Sequence, residues 1–147
     1  MSRKHLPVIL LSSLLAVACS DEIEEICETI EDCEFGVDET TCINTIGFYV
    51  YTAECLEIMR GATCDSHRTM DYWPNCWEPC SAGEKPQCDG DFINTCDENG
   101  LRVRVDCQKA CEASNMPYGG GCGVVSPTGD EVSDDGEDVC WCVHYYR

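Results

Sequence analysis

Positive charge is what this chain most lacks: nine Lys and Arg stand against 28 Asp and Glu, a formal net charge of −19 at pH 7. A surface of that sign repels phosphate backbones and anionic headgroups, which argues against nucleic-acid binding and against membrane lysis by a cationic face. Also missing is any apolar run of the ~20 residues that a membrane-crossing helix needs. Histidine is scarce, with only His5, His67 and His144. Neither a Gly-x-Ser-x-Gly elbow nor a phosphate-cradling loop is present. Carboxylates are so abundant that a Glu/Asp pair carries no weight by itself. No catalytic residue is assigned, and the expectation is a protein that is not an enzyme. No internal repeat is visible.

Cysteine, by contrast, is abundant: 15 residues, an odd number. The first of them explains the parity. Residues 1–18 carry Arg3, Lys4 and His5, then an apolar stretch from Leu6 to Ala18 broken only by Ser12 and Ser13. That is the layout of a secretion signal rather than of a mature span. Ala16-Val17-Ala18-Cys19 resembles the lipobox of bacterial lipoproteins, although Leu is commoner at the place of Ala16. The resemblance implies cleavage before Cys19, acylation of its thiol, and a bilayer as partner through that lipid. Because Ser20 rather than Asp follows Cys19, it also implies the outer membrane of the cell envelope. The plainer alternative is an ordinary signal peptide cleaved after Ala16-Val17-Ala18, with Cys19 an ordinary thiol.

With the leader removed and the Cys19 thiol acylated, fourteen cysteines remain for pairing, about 11% of the mature chain and an even number compatible with seven disulfides. Such density belongs to an oxidising, extracytoplasmic compartment. The net charge falls to near −21 as Arg3 and Lys4 leave.

The expected fold class is small, disulfide-rich α+β, with a helical, disulfide-linked region over 19–84 and a small αβ module over 85–147. Ile23, Ile26, Cys27, Ile30 and Cys33 recur at three- and four-residue steps, predicting an amphipathic helix over 20–34 capped by Ser20 or Asp21. Acidic residues crowd its first turn, where the macrodipole favours them. Two more helices are expected in "TTCINTIGFYVYTAECLEIMRG", the last stopping at Gly61, although "GFYVY" has strand propensity. Residues 62–86, with "DYWPNCWEPC", are expected to be an irregular connection. Further on, "DENG" at 97–100 reads as a turn, "LRVRV" as a half-buried strand, "DCQKACEASN" as a short helix and "VCWCVHYY" as the last strand. The acidic stretch "SPTGDEVSDDGED" reads as a solvated, mobile loop. Eight cysteines (Cys27, Cys33, Cys42, Cys55, Cys64, Cys76, Cys80, Cys88) precede and six follow, so each set can close its own bridges.

In the second set spacing is informative. Cys107 and Cys111 share a helix face with a rise of about 6 Å. Cys140 and Cys142 share a strand face about 6.6 Å apart. A helix laid on that strand can therefore be riveted twice, with Gly120 allowing close approach. These residues resemble the cysteine-stabilised αβ fold of defensins and scorpion toxins: Cys96, then Cys107-Gln-Lys-Ala-Cys111, Gly120-Gly-Cys122 and Cys140-Trp-Cys142. The resemblance covers 96–145 and implies the pairs Cys96–Cys122, Cys107–Cys140 and Cys111–Cys142. A different small module, using Cys88 in a "CDGDFINTC" hairpin, is the alternative. The long acidic loop and the lack of a cationic face depart from the family's antimicrobial members.

Other clusters point more weakly. Cys64, His67, Cys76 and Cys80 have zinc-like spacing, but an oxidising compartment favours disulfides, so no metal or cofactor is expected. Asp89, Asp91, Asn94 and Asp97, or Asp130, Glu131, Asp134, Asp135, Glu137 and Asp138, are calcium-type ligands without the EF-hand order. Tyr72, Trp73 and Trp77 fit a space-filling core better than a platform for a glycan or protein partner. The functional expectation is a membrane-anchored, extracytoplasmic lipoprotein with a recognition or envelope-structural role. The rival is a secreted effector, hydrolase or inhibitor on the same scaffold.

Overall fold

The structure, a computed structural model, describes residues 19–81 and 83–142, the side chains of residues 19 and 20 excepted. The leader, the thiol of Cys19 and His144 at the expected end of the last strand lie outside the described residues. The fold is a small disulfide-rich α+β arrangement.

Five helices come first. In α1 (Cys19–Asp32) the apolar stripe Ile23, Ile26, Cys27 and Ile30 is buried, as its spacing requires. The helix already includes residues 19 and 20, so Asp21 and Glu22 lie inside its first turn rather than before it. α2 (Glu39–Ile46) is capped by Asp38, whose carboxylate accepts the Thr41 N–H at 2.7 Å. These hydrogen bonds hold the Asp38 pKa below its ordinary value. Thr52 caps α3 (Ala53–Arg60) in the same way, and Gly61 ends it. The stretch expected to be irregular folds into α4 (Cys64–Thr69), capped by Thr63, and the single turn α5 (Trp73–Cys76) with Pro74 in its first turn. The Thr63 cap and the N-terminal Pro74 supply local start signals that the Pro- and Trp-rich composition obscured. Three bridges staple this region, Cys27–Cys42, Cys33–Cys64 and Cys55–Cys76.

Four antiparallel strands follow, β1 (Glu78–Pro79), β2 (Gln87–Asp89), β3 (Phe92–Cys96) and β4 (Leu101–Asp106), in the order β1-β4-β3-β2. Then α6 (Cys107–Ala113) leads to a hairpin of β5 (Tyr118–Gly123) and β6 (Val139–Cys142). The helical region is sewn to the sheet by backbone as well as by packing. Tyr49 forms a bridge with Val105, Val50 N–H donates to the Arg104 carbonyl and Asp106 N–H to the Phe48 carbonyl, both at 2.8 Å. The strand propensity of "GFYVY" is used there, between two helices.

Two expectations about cysteine and glycine are corrected. The pair Cys96–Cys122 does not form: Cys96 bonds Cys80 and Cys122 bonds Cys88. β3 is an interior strand, and β2, carrying Cys88, is the sheet edge in contact with β5. At its other end Cys96 meets Cys80 just past β1, where Cys80 N–H donates to the Gly100 carbonyl. The cysteines therefore do not divide eight and six, since both of these bridges cross that cut. Gly120 faces open space with φ +90° at an irregularity in the β5–β6 register. The close approach falls instead at Gly119, where a Cβ would lie 2.6 Å from the Trp141 carbonyl oxygen.

Candidate ligand-binding cleft

The aromatic residues converge where the helical region meets the sheet. Tyr49, Tyr51, Trp73 and Trp77 form a cluster with ring centroids 5.5–6.2 Å apart. Such edge and tilted contacts suit the ring quadrupoles. Tyr51 is locked in place by donating its hydroxyl to the Ile46 carbonyl at 2.9 Å, and burial pushes its pKa up. Tyr72 is core, 4% exposed, and burial with Asp71 nearby raises its pKa to about 12. Of the three aromatic residues singled out from sequence, Trp73 does two jobs: half-buried in the cluster, it also walls a surface cleft of ≈ 620 Å³. That size falls in the range of small-ligand and side-chain clefts.

Four local structures shape this cleft. The C-terminal turn of α2 supplies its edge at Thr45 and Ile46. Tyr49 and Trp73 stand at 80° to one another, 5.7 Å between centroids, and make an aromatic corner. Met70, 37% exposed and in the left-handed conformation at the end of α4, forms the rim beside it. The "DENG" turn closes the far side. There the Asp97 carboxylate accepts the N–H groups of Asn99 at 2.9 Å and Leu101 at 2.8 Å, fixing the turn, while Glu98 is exposed and makes no hydrogen bond or ion pair among the described residues. Burial, then the charges of Asp97 and Glu98, raise the Tyr49 pKa, so the carboxylates are felt inside the corner. None of the lining residues is basic.

The other sequence-derived sites are dispersed. Cys64, Cys76 and Cys80 are each in a disulfide, with Cys33, Cys55 and Cys96, and so are not gathered around His67. Among the first acidic set, Asp89 pairs with Arg104 at 2.9 Å, Asp91 accepts the Tyr118 hydroxyl and Asp97 serves its own turn. The acidic loop is exposed over most of its length and carries internal bonds. Val125 bridges Val132, Ser126 is buried and bonded to Glu131, and Asp138 accepts the Cys88 N–H at 2.8 Å. The bridges Cys107–Cys140 and Cys111–Cys142 fix α6 to β6, the two pairs at helical and strand spacing. What the sequence did not disclose is the cleft, because Tyr49, the Met70–Trp73 stretch and Glu98 come from three separate segments. Only the aromatic run and the turn signal marked its parts.

Compared with known protein families, curated proteins and solved structures, the chain matches none. Fold and bridges define its class, a cysteine-rich α+β protein of an oxidising compartment.

Proposed function

We propose that this protein is an extracytoplasmic lipoprotein, held to the cell envelope by acylated Cys19, whose disulfide-bonded body serves in recognition rather than in catalysis. The observation that carries the reading is the sulfur inventory: seven bridges use all fourteen cysteines from Cys27 onward, which leaves the lipobox cysteine outside the set. Among the described residues no helix is long and apolar enough to cross a membrane, so on this reading the lipid is the attachment. Ser20 after Cys19 favours the outer membrane. The aromatic cleft, open and rimmed by the Glu98 carboxylate, which has no ion pair among the described residues, supports recognition of a partner. Of the defensin-like pattern, two of three bridges are present, and the acidic surface separates the scaffold from membrane killing.

Intact mass of the mature protein, before and after reduction, tests the reading. The expected mass begins at Cys19, exceeds the polypeptide by a diacylglyceryl group with or without a further acyl chain, and gains fourteen hydrogens on reduction. Cys19→Ala is expected to leave the membrane fraction. An unmodified Cys19 would refute the anchoring.

A further inference from the structure

We propose that the cleft at Tyr49 and Trp73 is the docking site for an arginine side chain on a basic, apolar-flanked segment of a partner protein. Three features of opposite sign to that guanidinium converge there. The Tyr49 and Trp73 rings pack edge to face at 80°, 5.7 Å between centroids, and both line the cleft, so a planar cation entering it meets aromatic surface from each. Glu98 stands on the rim without a counter-ion among the described residues, and Asp97 lies beside it. The C-terminal end of α2 opens onto the same space, and the negative end of a helix dipole favours a cation. No basic side chain lines the cleft to cancel this potential.

The occupant is a peptide side chain rather than a free small cation because the site is open and half apolar. Met70, 37% exposed, offers apolar surface at the rim, which fits the apolar neighbours of an arginine in a chain. A solvated small amine leaves that surface unused. A neutral glycan presents no cation for Glu98 to recognise. Arginine is preferred over lysine because its weakly hydrated plane matches the ring corner, whereas an ammonium keeps its water.

This inference rests on the recognition role proposed above and is tested separately from the anchoring. The probes are the capped tetrapeptide Leu-Arg-Leu-Arg, its Leu-Glu-Leu-Glu counterpart and choline chloride. Each is titrated calorimetrically into the full mature protein in detergent and into soluble Cys19→Ala. The arginine peptide alone is expected to bind, equally in both. Glu98→Lys, a change at an exposed residue with no hydrogen bond to lose, is expected to weaken it about tenfold. Asp134→Lys, the same charge change on the distant acidic loop, is expected to leave the affinity within about twofold, because separated charges are screened. Trp73→Ala should abolish binding, and the Glu98 result stands if that variant does not fold. Equal weakening by Glu98→Lys and Asp134→Lys would reduce the effect to general acidity and overturn the site. Absence of arginine-peptide binding, or equal binding of choline, overturns it too. Binding to a chain whose mass shows no lipid would leave the docking site standing and remove only the anchor.

Discussion

At the scale of single residues, the buried imidazole of His67 makes the sharpest statement. It is 4% exposed, with Nδ1 3.1 Å from the Tyr72 hydroxyl, and that hydroxyl in turn donates to Met70 Sδ at 3.2 Å. The proton of the His67–Tyr72 bond then comes from Nδ1, and Nε2 is left buried without a partner. Charging Nε2 in that place is unfavourable, so burial lowers the His67 pKa below its ordinary 6.5. The folded state thus binds fewer protons than the unfolded chain. Stability from the neutral ring is fully present above about pH 6.5 and is lost as pH falls below it. His67→Phe is expected to abolish this dependence. The melting temperature of the native protein, measured against His67→Phe from pH 8 to pH 5, should fall progressively on the acid side. A constant difference across that range would show that the ring is not held neutral. The spacing of His67 with three cysteines is zinc-like, but the oxidising compartment favours disulfides for those cysteines; which partners they take depends on contacts between segments up to 31 residues apart, which spacing does not encode.

Among the elements, legibility followed the range of the physics. Helices α1, α2, α3 and α6 were readable because periodicity, caps and stop signals lie within a turn or two of each other. The pairing of Cys96 was misjudged because it depends on β2 occupying the sheet edge, a non-local outcome. α1 and α2 show how local pattern and bridge cooperate: the apolar stripe of α1 packs on Cys42 and Ile46 of α2, and Cys27–Cys42 locks the two together, its sulfurs in residues 0% and 4% exposed. The bridge closes a sequence separation of 15. Constraining a loop of that length removes about 3 kcal/mol worth of unfolded-state freedom. The double variant Cys27→Ala, Cys42→Ala is therefore expected to lower the urea unfolding free energy by about 3 kcal/mol with the slope little changed. Ile26→Ala, which empties a fully buried position between the same helices, is expected to cost about 2–5 kcal/mol. A bridge variant as stable as the native chain would mean that side-chain packing alone holds α1 against α2.

For the molecule as a whole, charge and sulfur pull in opposite directions. A formal net charge of −19 favours expansion, and the bridges restrain it. Compensation by ion pairs is local: Arg60 of α3 reaches Glu22 and Glu25 of α1 at 3.0 and 3.3 Å, while Arg102 and Arg104 hold Glu84 and Asp89 on the sheet. These pairs are largely exposed, and such pairs contribute about 0–1 kcal/mol each. With 28 acidic residues against nine basic, most carboxylates have no cation to meet. Repulsion therefore outweighs attraction, and salt should reveal the sign. Raising ionic strength from about 0.01 M to 1 M shortens the screening length from about 30 Å to 3 Å, which weakens both, but the more numerous and longer-ranged repulsions lose more. The melting temperature at pH 7.5 is expected to rise with added sodium chloride over that range, and Cys27→Ala, Cys42→Ala, lower in melting temperature at every salt concentration, to show the steeper rise, since part of the restraint that masked the repulsion is then gone. A melting temperature that falls with salt would mean that the few ion pairs, Arg60 with α1 foremost, govern the balance instead.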